Sequence, residues 1–289
     1  MGIGYRNMAD MKAVGKFIVT KSATFPETAH LPVSPIIEGE KWRRNGARIK
    51  PDLAVMLPAS GRYCPPEMHF AMGMLIKPPG LHYLQMGLKG VRRDHARIEM
   101  VKLARAEGAE FGLFLDDDNP PPADTIIKLL DVFHSHGPEL GVVAGIYTGK
   151  VLPAIPWVFK FANNPEGFWW DWKAELRDED NNVIRDGEVF EVDAIASGCM
   201  MIRLSVFDTL KEPWFLEVHT VEEALAAQAH ADASPRGYYV EVTDDMYFCH
   251  KLRAAGFKLM AHGGVLPGHW DEHGNCYRLA LDSYPMRKE

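Results

Sequence analysis

Three consecutive aspartates, Asp116, Asp117 and Asp118, follow directly on the apolar run Phe111-Gly112-Leu113-Phe114-Leu115. Carboxylates delivered by a buried strand repel one another unless water or a cation neutralises them. Magnesium and manganese favour such oxygen ligands, commonly one or two carboxylates completed by the phosphates of a substrate. The run therefore points to a divalent metal, Mn or Mg, holding a diphosphate. A solvated acidic loop that merely caps the next helix explains it poorly, because Asp124 can serve that helix without the other three.

Other residue types in the chain suit the same kind of ligand. Arg93 and Arg97 lie about one helical turn apart and suit phosphate oxygens. Gly198 suits a point where the backbone approaches a ligand closely. Trp169, Trp170 and Trp172 suit stacking on a sugar or base face, and ordinary packing suits at least one of them as well. A second acidic pair, Asp244-Asp245, opens a late helical segment behind Thr243, where any of the three can cap the helix. His262, His269 and His273 follow, without a zinc-like spacing.

These residues need elements to position them. Residues 53–57 read as a short apolar strand ended by Pro58 and a Gly/Pro-containing loop. A helix over 67–76 is stopped by Lys77-Pro78-Pro79-Gly80, and residues 81–86 form a second strand. The spacing of Val91, Ala96, Ile98, Val101, Leu103 and Ala104 predicts a half-buried helix over 91–107, closed by Gly108. The strand 111–115 delivers the aspartates, Pro120-Pro121-Pro122 separates them from another helix, and 140–146 is again a buried strand. Such alternation implies an α/β fold with a doubly wound, mostly parallel sheet, whose ligands collect at the carboxyl ends of strands.

After Gly149 the pattern becomes mixed. Strands are expected at 157–161, 189–195 and 199–203, with an aromatic loop and a polar turn at 178–182 between the first two. Helices are expected at 220–231 and 243–255, the latter stopped by Gly256. Residues 1–50 show weak periodicity and read as an extension, followed by one domain over 51–289 with halves at 51–150 and 151–289.

Composition sets outer bounds. The 289 residues are 47% hydrophobic and 25% charged, with no apolar run long enough to span a bilayer. No signal-peptide pattern opens the chain, and Cys64, Cys199, Cys249 and Cys276 read as free thiols, so a cytoplasmic place is expected, host cytoplasm if the source is viral. The net charge of −7 argues against coating nucleic acid or anionic membrane over the whole surface, although residues 1–50 carry +5 and 89–105 carry +4.

Phe-Leu-Asp-Asp-Asp at 114–118, behind a helix containing Arg93 and Arg97, resembles the DxD region of glycosyltransferases with the GT-A fold, in the broad family-2-like group. Three further segments resemble that group in order: 193–203, Thr243-Asp244-Asp245 with Leu252-Arg253 and Gly256, and Gly268-His269-Trp270. The resemblance covers roughly residues 52–270. It implies a metal-dependent transfer of a sugar from a nucleotide diphosphate sugar to a hydroxyl acceptor. It further implies that Asp116 and Asp118 form the metal-binding pair, with Asp118 the direct ligand, Asp116 nearer the ribose or metal, and Asp117 facing elsewhere. His269 completes the metal site, with His262 and His273 as competitors. Asp245 is the general base, with Asp244 as its alternative. Pro58, Ala59, Ser60 and Gly61 meet the nucleotide base and ribose, and Gly198 lies on the acceptor side.

The acceptor stays open between a glycan or small molecule and a hydroxylated base in viral DNA, for which the basic extension and the tryptophans would serve. A nucleotidyltransferase is the competing enzyme class, but residues 58–66 lack its glycine-rich basic signature. A non-enzymatic module is the third reading.

Overall fold

The computed structural model describes residues 18–20, 43–44, 47–48, 50–59, 64–150, 155–161, 172–174, 187–217 and 243–279. The chain begins with β1 (Ile18–Thr20), β2 (Arg43–Arg44), β3 (Ala47–Arg48) and β4 (Leu53–Ala59). It continues through α1 (Pro66–Met74), β5 (Tyr83–Lys89), α2 (Arg93–Glu107), β6 (Phe111–Leu115), α3 (Thr125–Ser135) and β7 (Leu140–Gly145). The second half holds β8 (Val158–Phe161), β9 (Trp172–Ala174), β10 (Val189–Val192), β11 (Ala194–Ile195) and β12 (Cys199–Arg203). A 3-10 turn at Leu204–Asp208, then α4 (Asp244–Ala254), β13 (Lys258–His262), β14 (His269–Trp270) and β15 (Cys276–Tyr277) complete it. Most of the extension 1–50, the expected turn at 178–182 and helix at 220–231, and Ser60, Gly61, Trp169 and Trp170 lie outside the described residues. Of Trp172 only the strand backbone is described.

The main sheet runs in the order β1-β5-β4-β6-β12-β7-β13-β10. Its parallel portions are β5-β4-β6 and β7-β13, as strand–helix alternation requires. β12 comes from the back half and lies antiparallel between β6 and β7, so the sheet is mixed through its centre. β1 and β10 close the edges antiparallel. The expected single strand over 189–195 divides in two: β10 pairs with β13 in the main sheet, while β11 joins β8 and β9 in a small second sheet.

Alternation along the central strands sorts the core into two layers. Ala54, Met56, Phe114, Val142, Ala144, Met200 and Ile202 pack on the side covered by α2 and α4. Leu53, Val55, Leu113, Leu115, Val143, Cys199 and Met201 pack on the side covered by α1 and α3. Helices on both faces explain why β6 and β7 are buried at every residue. The close of α2 is set locally: Gly108 adopts φ 84°, and its N–H bonds back to the last turn, as the sequence leads one to expect. Among the described residues no helix is long and apolar enough to cross a membrane, and all four cysteines are free thiols.

Candidate active site

The antiparallel insertion of β12 shapes the site. It sets Cys199 opposite Leu115, so the turn at Ser197-Gly198 meets the carboxyl end of β6. There the Asp116 N–H donates to the Gly198 carbonyl at 3.0 Å. A Cβ at Gly198 would lie 2.4 Å from Asn119 Oδ1 and 2.7 Å from the Tyr147 hydroxyl, so no side chain fits. The expectation of close approach at Gly198 is met by neighbouring protein atoms. The Tyr147 hydroxyl oxygen accepts the Gly198 N–H at 3.0 Å. Burial pushes the Tyr147 phenol well above its ordinary range, so it stays neutral.

The two acidic segments are joined by Arg97, which is 1% exposed. Its Nε donates to Asp244 Oδ2 at 2.7 Å, and its Nη1 and Nη2 donate to Asp116 Oδ1 at 3.1 and 3.0 Å. Nη2 also reaches Asp116 Oδ2 at 3.3 Å. The sequence offered Arg97 as a ligand for diphosphate. Instead its guanidinium is engaged inside the protein, tying the end of β6 to the start of α4. Burial alone would drive its pKa down, but Asp116 and Asp244 outweigh that and hold it raised. Arg93, one turn earlier, keeps its side chain 54% exposed and lies 3.7 Å from Glu217.

Asp245 is half-buried at the start of α4. Its carboxylate accepts the N–H groups of Met246 at 2.8 Å and Ser197 at 3.3 Å, and the Thr243 hydroxyl. Thr243 therefore holds Asp245 and makes no side-chain cap to the helix. Burial pushes the Asp245 carboxyl upward, and the charge of Asp244 adds to it. Asp124 likewise makes no side-chain cap to α3 and pairs with Lys128 at 2.9 Å.

Asp118 and His269 form the third part. His269 is 6% exposed, and its Nδ1 donates to the Thr148 carbonyl at 2.6 Å. A carbonyl only accepts, so in the neutral ring Nε2 carries the lone pair, and it faces Asp118 Oδ2 at 3.7 Å. Burial lowers the His269 pKa, the nearby Asp118 opposing it in part, which favours that neutral ring. Lys150 Nζ donates to the same Asp118 oxygen at 2.5 Å. The Trp270 N–H donates to the Asp118 carbonyl at 2.9 Å, which aligns β14 with the aspartate run.

The remaining sequence candidates fall in several places. Pro58 and Ala59 end β4 on the same sheet edge. Asp117 is buried. Burial raises the Cys64 thiol, and the charges of Asp117 and Asp118 push it the same way. The His262 Nδ1 accepts the Gly264 N–H at 3.0 Å, a turn-forming role. His273 belongs to the β14–β15 turn, where its N–H donates to Asp271 Oδ1 at 2.9 Å. Among the described residues no three of His, Cys, Asp and Glu converge as a ready-made metal cage.

Residues that the sequence reading passed over complete the surroundings. Asn119, 1% exposed, donates from Nδ2 to the Gly268 carbonyl at 2.9 Å, while its Oδ1 has no hydrogen-bond partner. The Ser197 and Thr148 hydroxyls are also buried without a partner. The buried role of Arg97, a residue already singled out for phosphate, had a legible signal: it shares the buried face of α2 with Val101 and Ala104 at helical spacing. A charge on an apolar stripe implies a buried partner. Tyr147 and Lys150 carried no such mark.

No family model matches the chain, and no curated protein matches it. Among solved structures, the crystal structure of A197 from STIV aligns with a TM-score of 0.48 and 16% identity, over 82% of this chain and 97% of that chain.

Proposed function

We propose that this chain is a metal-dependent glycosyltransferase of GT-A type, moving a sugar from a nucleotide diphosphate sugar to a hydroxyl acceptor. The observation that carries the reading is geometric: His269 Nδ1 is committed to the Thr148 carbonyl, and its Nε2 lies 3.7 Å from Asp118 Oδ2. A cation seated between them would draw on both, as Lys150 already does beside Asp118. The donor chemistry fits manganese or magnesium. It offers one carboxylate and one imidazole whose Nδ1–H is anchored on a backbone carbonyl, an arrangement that raises ligand basicity. Asp118 and His269 are the residues that would hold the ion, with phosphate oxygens of the donor completing its shell. When bound, such an ion offsets the charge that develops on the departing diphosphate.

The protein's own groups divide the rest. Asp116 is engaged by Arg97 through both of its oxygens, so its part is to fix the strand end. Asp245 is the general base. It accepts the proton of the acceptor hydroxyl as that oxygen bonds to the anomeric carbon, and the bond from that carbon to the diphosphate oxygen breaks, releasing the nucleoside diphosphate. Its raised pKa suits a base more than a fully solvated carboxylate would. Arg93, half-exposed beside the Arg97 pair, is the cation available to phosphate oxygens.

The test is a thermal-shift series with UDP, GDP, CDP, ADP and dTDP, with and without manganese. A manganese-dependent shift for one nucleotide, lost in Asp118→Ala and in His269→Ala, is expected. An unchanged shift in Asp118→Ala would falsify the assignment.

A further inference from the structure

Trp157, immediately before β8, is 38% exposed, and Ile155 two residues earlier is 46% exposed. The indole is held from several sides. It meets the His269 ring edge-on, with centroids 5.5 Å apart and planes at 72°, and it packs tilted on Tyr147 at 5.6 Å. Gly149 passes close beneath it: a Cβ there would lie 3.1 Å from Trp157 Nε1. The backbone is equally fixed. The Trp157 N–H donates to the Tyr147 carbonyl at 2.9 Å, and its own carbonyl accepts the Ala196 N–H at 3.2 Å. The residue after Ala196, Ser197, donates its N–H to Asp245.

An exposed, rigid aromatic surface is therefore tied on one side to His269 and on the other to the segment that positions Asp245. In the sheet order it belongs with β7 and β8, across β6 and β12 from β4, where the nucleotide end of the donor is expected. Among the described residues, the acidic strand end and helix start beyond His269 carry Asp116, Asp117, Asp118, Asp244 and Asp245, against Arg93, Arg97 and Lys150. Arg97 is engaged by two of the carboxylates. A polyanion such as DNA is repelled by that balance, whereas a neutral ring with an apolar face is not.

We propose that Trp157, with Ile155 beside it, is the acceptor platform, and that the acceptor it takes is a neutral pyranoside stacked on the indole. The proposal rests on the glycosyltransferase reading above. Stacking needs the flat aromatic face, so Trp157→Phe retains it and Trp157→Leu fills the space without it.

The experiment is saturation-transfer NMR with the methyl pyranosides of glucose, galactose and mannose, in the presence of manganese and the nucleotide found by thermal shift. Binding of at least one glycoside is expected in wild type and Trp157→Phe. In Trp157→Leu it should be weaker by about tenfold or more when both proteins are compared at manganese and nucleotide concentrations that saturate each. Equal glycoside binding in Trp157→Leu overturns the platform. So does failure of wild type to bind any of the three while the nucleotide shift persists, or binding of an oligonucleotide carrying hydroxymethylcytosine that Trp157→Leu abolishes. Absence of any nucleotide shift in wild type removes the underlying glycosyltransferase reading, and this proposal with it.

Discussion

Replacing Arg97 by methionine isolates the bridge between β6 and α4. The substitution keeps most of the aliphatic stem and its packing near the Phe114 ring, 5.1 Å from the guanidinium carbon. It removes the contacts to Asp244 at 2.7 Å and to Asp116 at 3.0 and 3.1 Å. Two carboxylates then stay behind with side chains 12% and 3% exposed, and water cannot solvate them well. Leaving a buried partner uncompensated costs about 3–5 kcal/mol. With a denaturant slope of about 3 kcal/mol per molar urea, that loss lowers the urea midpoint by about 1–1.7 M. The triple variant Arg97→Met, Asp116→Asn, Asp244→Asn removes the stranded charges and recovers most of the midpoint, because uncharged groups of similar shape tolerate burial far better. Urea unfolding followed by circular dichroism and tryptophan fluorescence measures both. Arg97→Met within about 0.5 kcal/mol of wild type, or a triple variant no more stable than the single, refutes the reasoning.

Gly198→Ala places a methyl group against Asn119 and the Tyr147 hydroxyl; we expect about 1–3 kcal/mol of destabilisation by urea unfolding and reduced transferase activity, and an unchanged midpoint contradicts the packing. Asp245→Asn is expected to abolish transfer. Because the folded carboxyl titrates above its ordinary range, native protein holds that proton more tightly than unfolded chain, and stability declines as pH rises from the ordinary carboxylate pKa through the raised one. The neutral amide in Asp245→Asn escapes that decline, so the variant should match or exceed wild-type stability at neutral pH. The acid limb of the wild-type rate profile should correspondingly lie above pH 4, the ordinary carboxylate value, roughly; a limb at or below it counts against Asp245 as base. Asp271 is held down to about 2 by Asn275, His273 and Tyr277 in the β14–β15 turn. Its stabilising effect is present above the unfolded carboxylate pKa and is lost as pH falls through the folded one. Hydrogen exchange at Trp270 and Gly274 should therefore accelerate in Asp271→Ala at neutral pH, and unchanged exchange removes Asp271 as the turn's anchor.

Elements governed by local patterning were legible in the residues. The run 111–115 is β6 to the residue, because five apolar residues between turn signals bury only as a covered strand. α2 ends at Gly108 because a left-handed cap there needs no neighbour from elsewhere in the chain. Asp116, Asp118, Asp245 and His269 do gather at one sheet edge, since strand ends and helix starts converge there in an α/β sheet. Pairing between distant segments was not legible. β12 reads as a short apolar piece in either direction, and its antiparallel place between β6 and β7 depends on register with strands more than fifty residues away.

Period and turn chemistry act within a few residues, so the two layers, the acidic strand end and the helix that carries the second acidic pair follow from sequence alone. What each charge does depends on the folded chain. Arg97 looked like a hand for phosphate and proved to be a buried tie between Asp116 and Asp244, since only folding brings residues 97, 116 and 244 within hydrogen-bond reach in a place that water cannot enter. Trp157 passed as one aromatic residue in a strand, and only the packing of His269, Tyr147 and Gly149 around it leaves a fixed, partly exposed indole against the His269 ring.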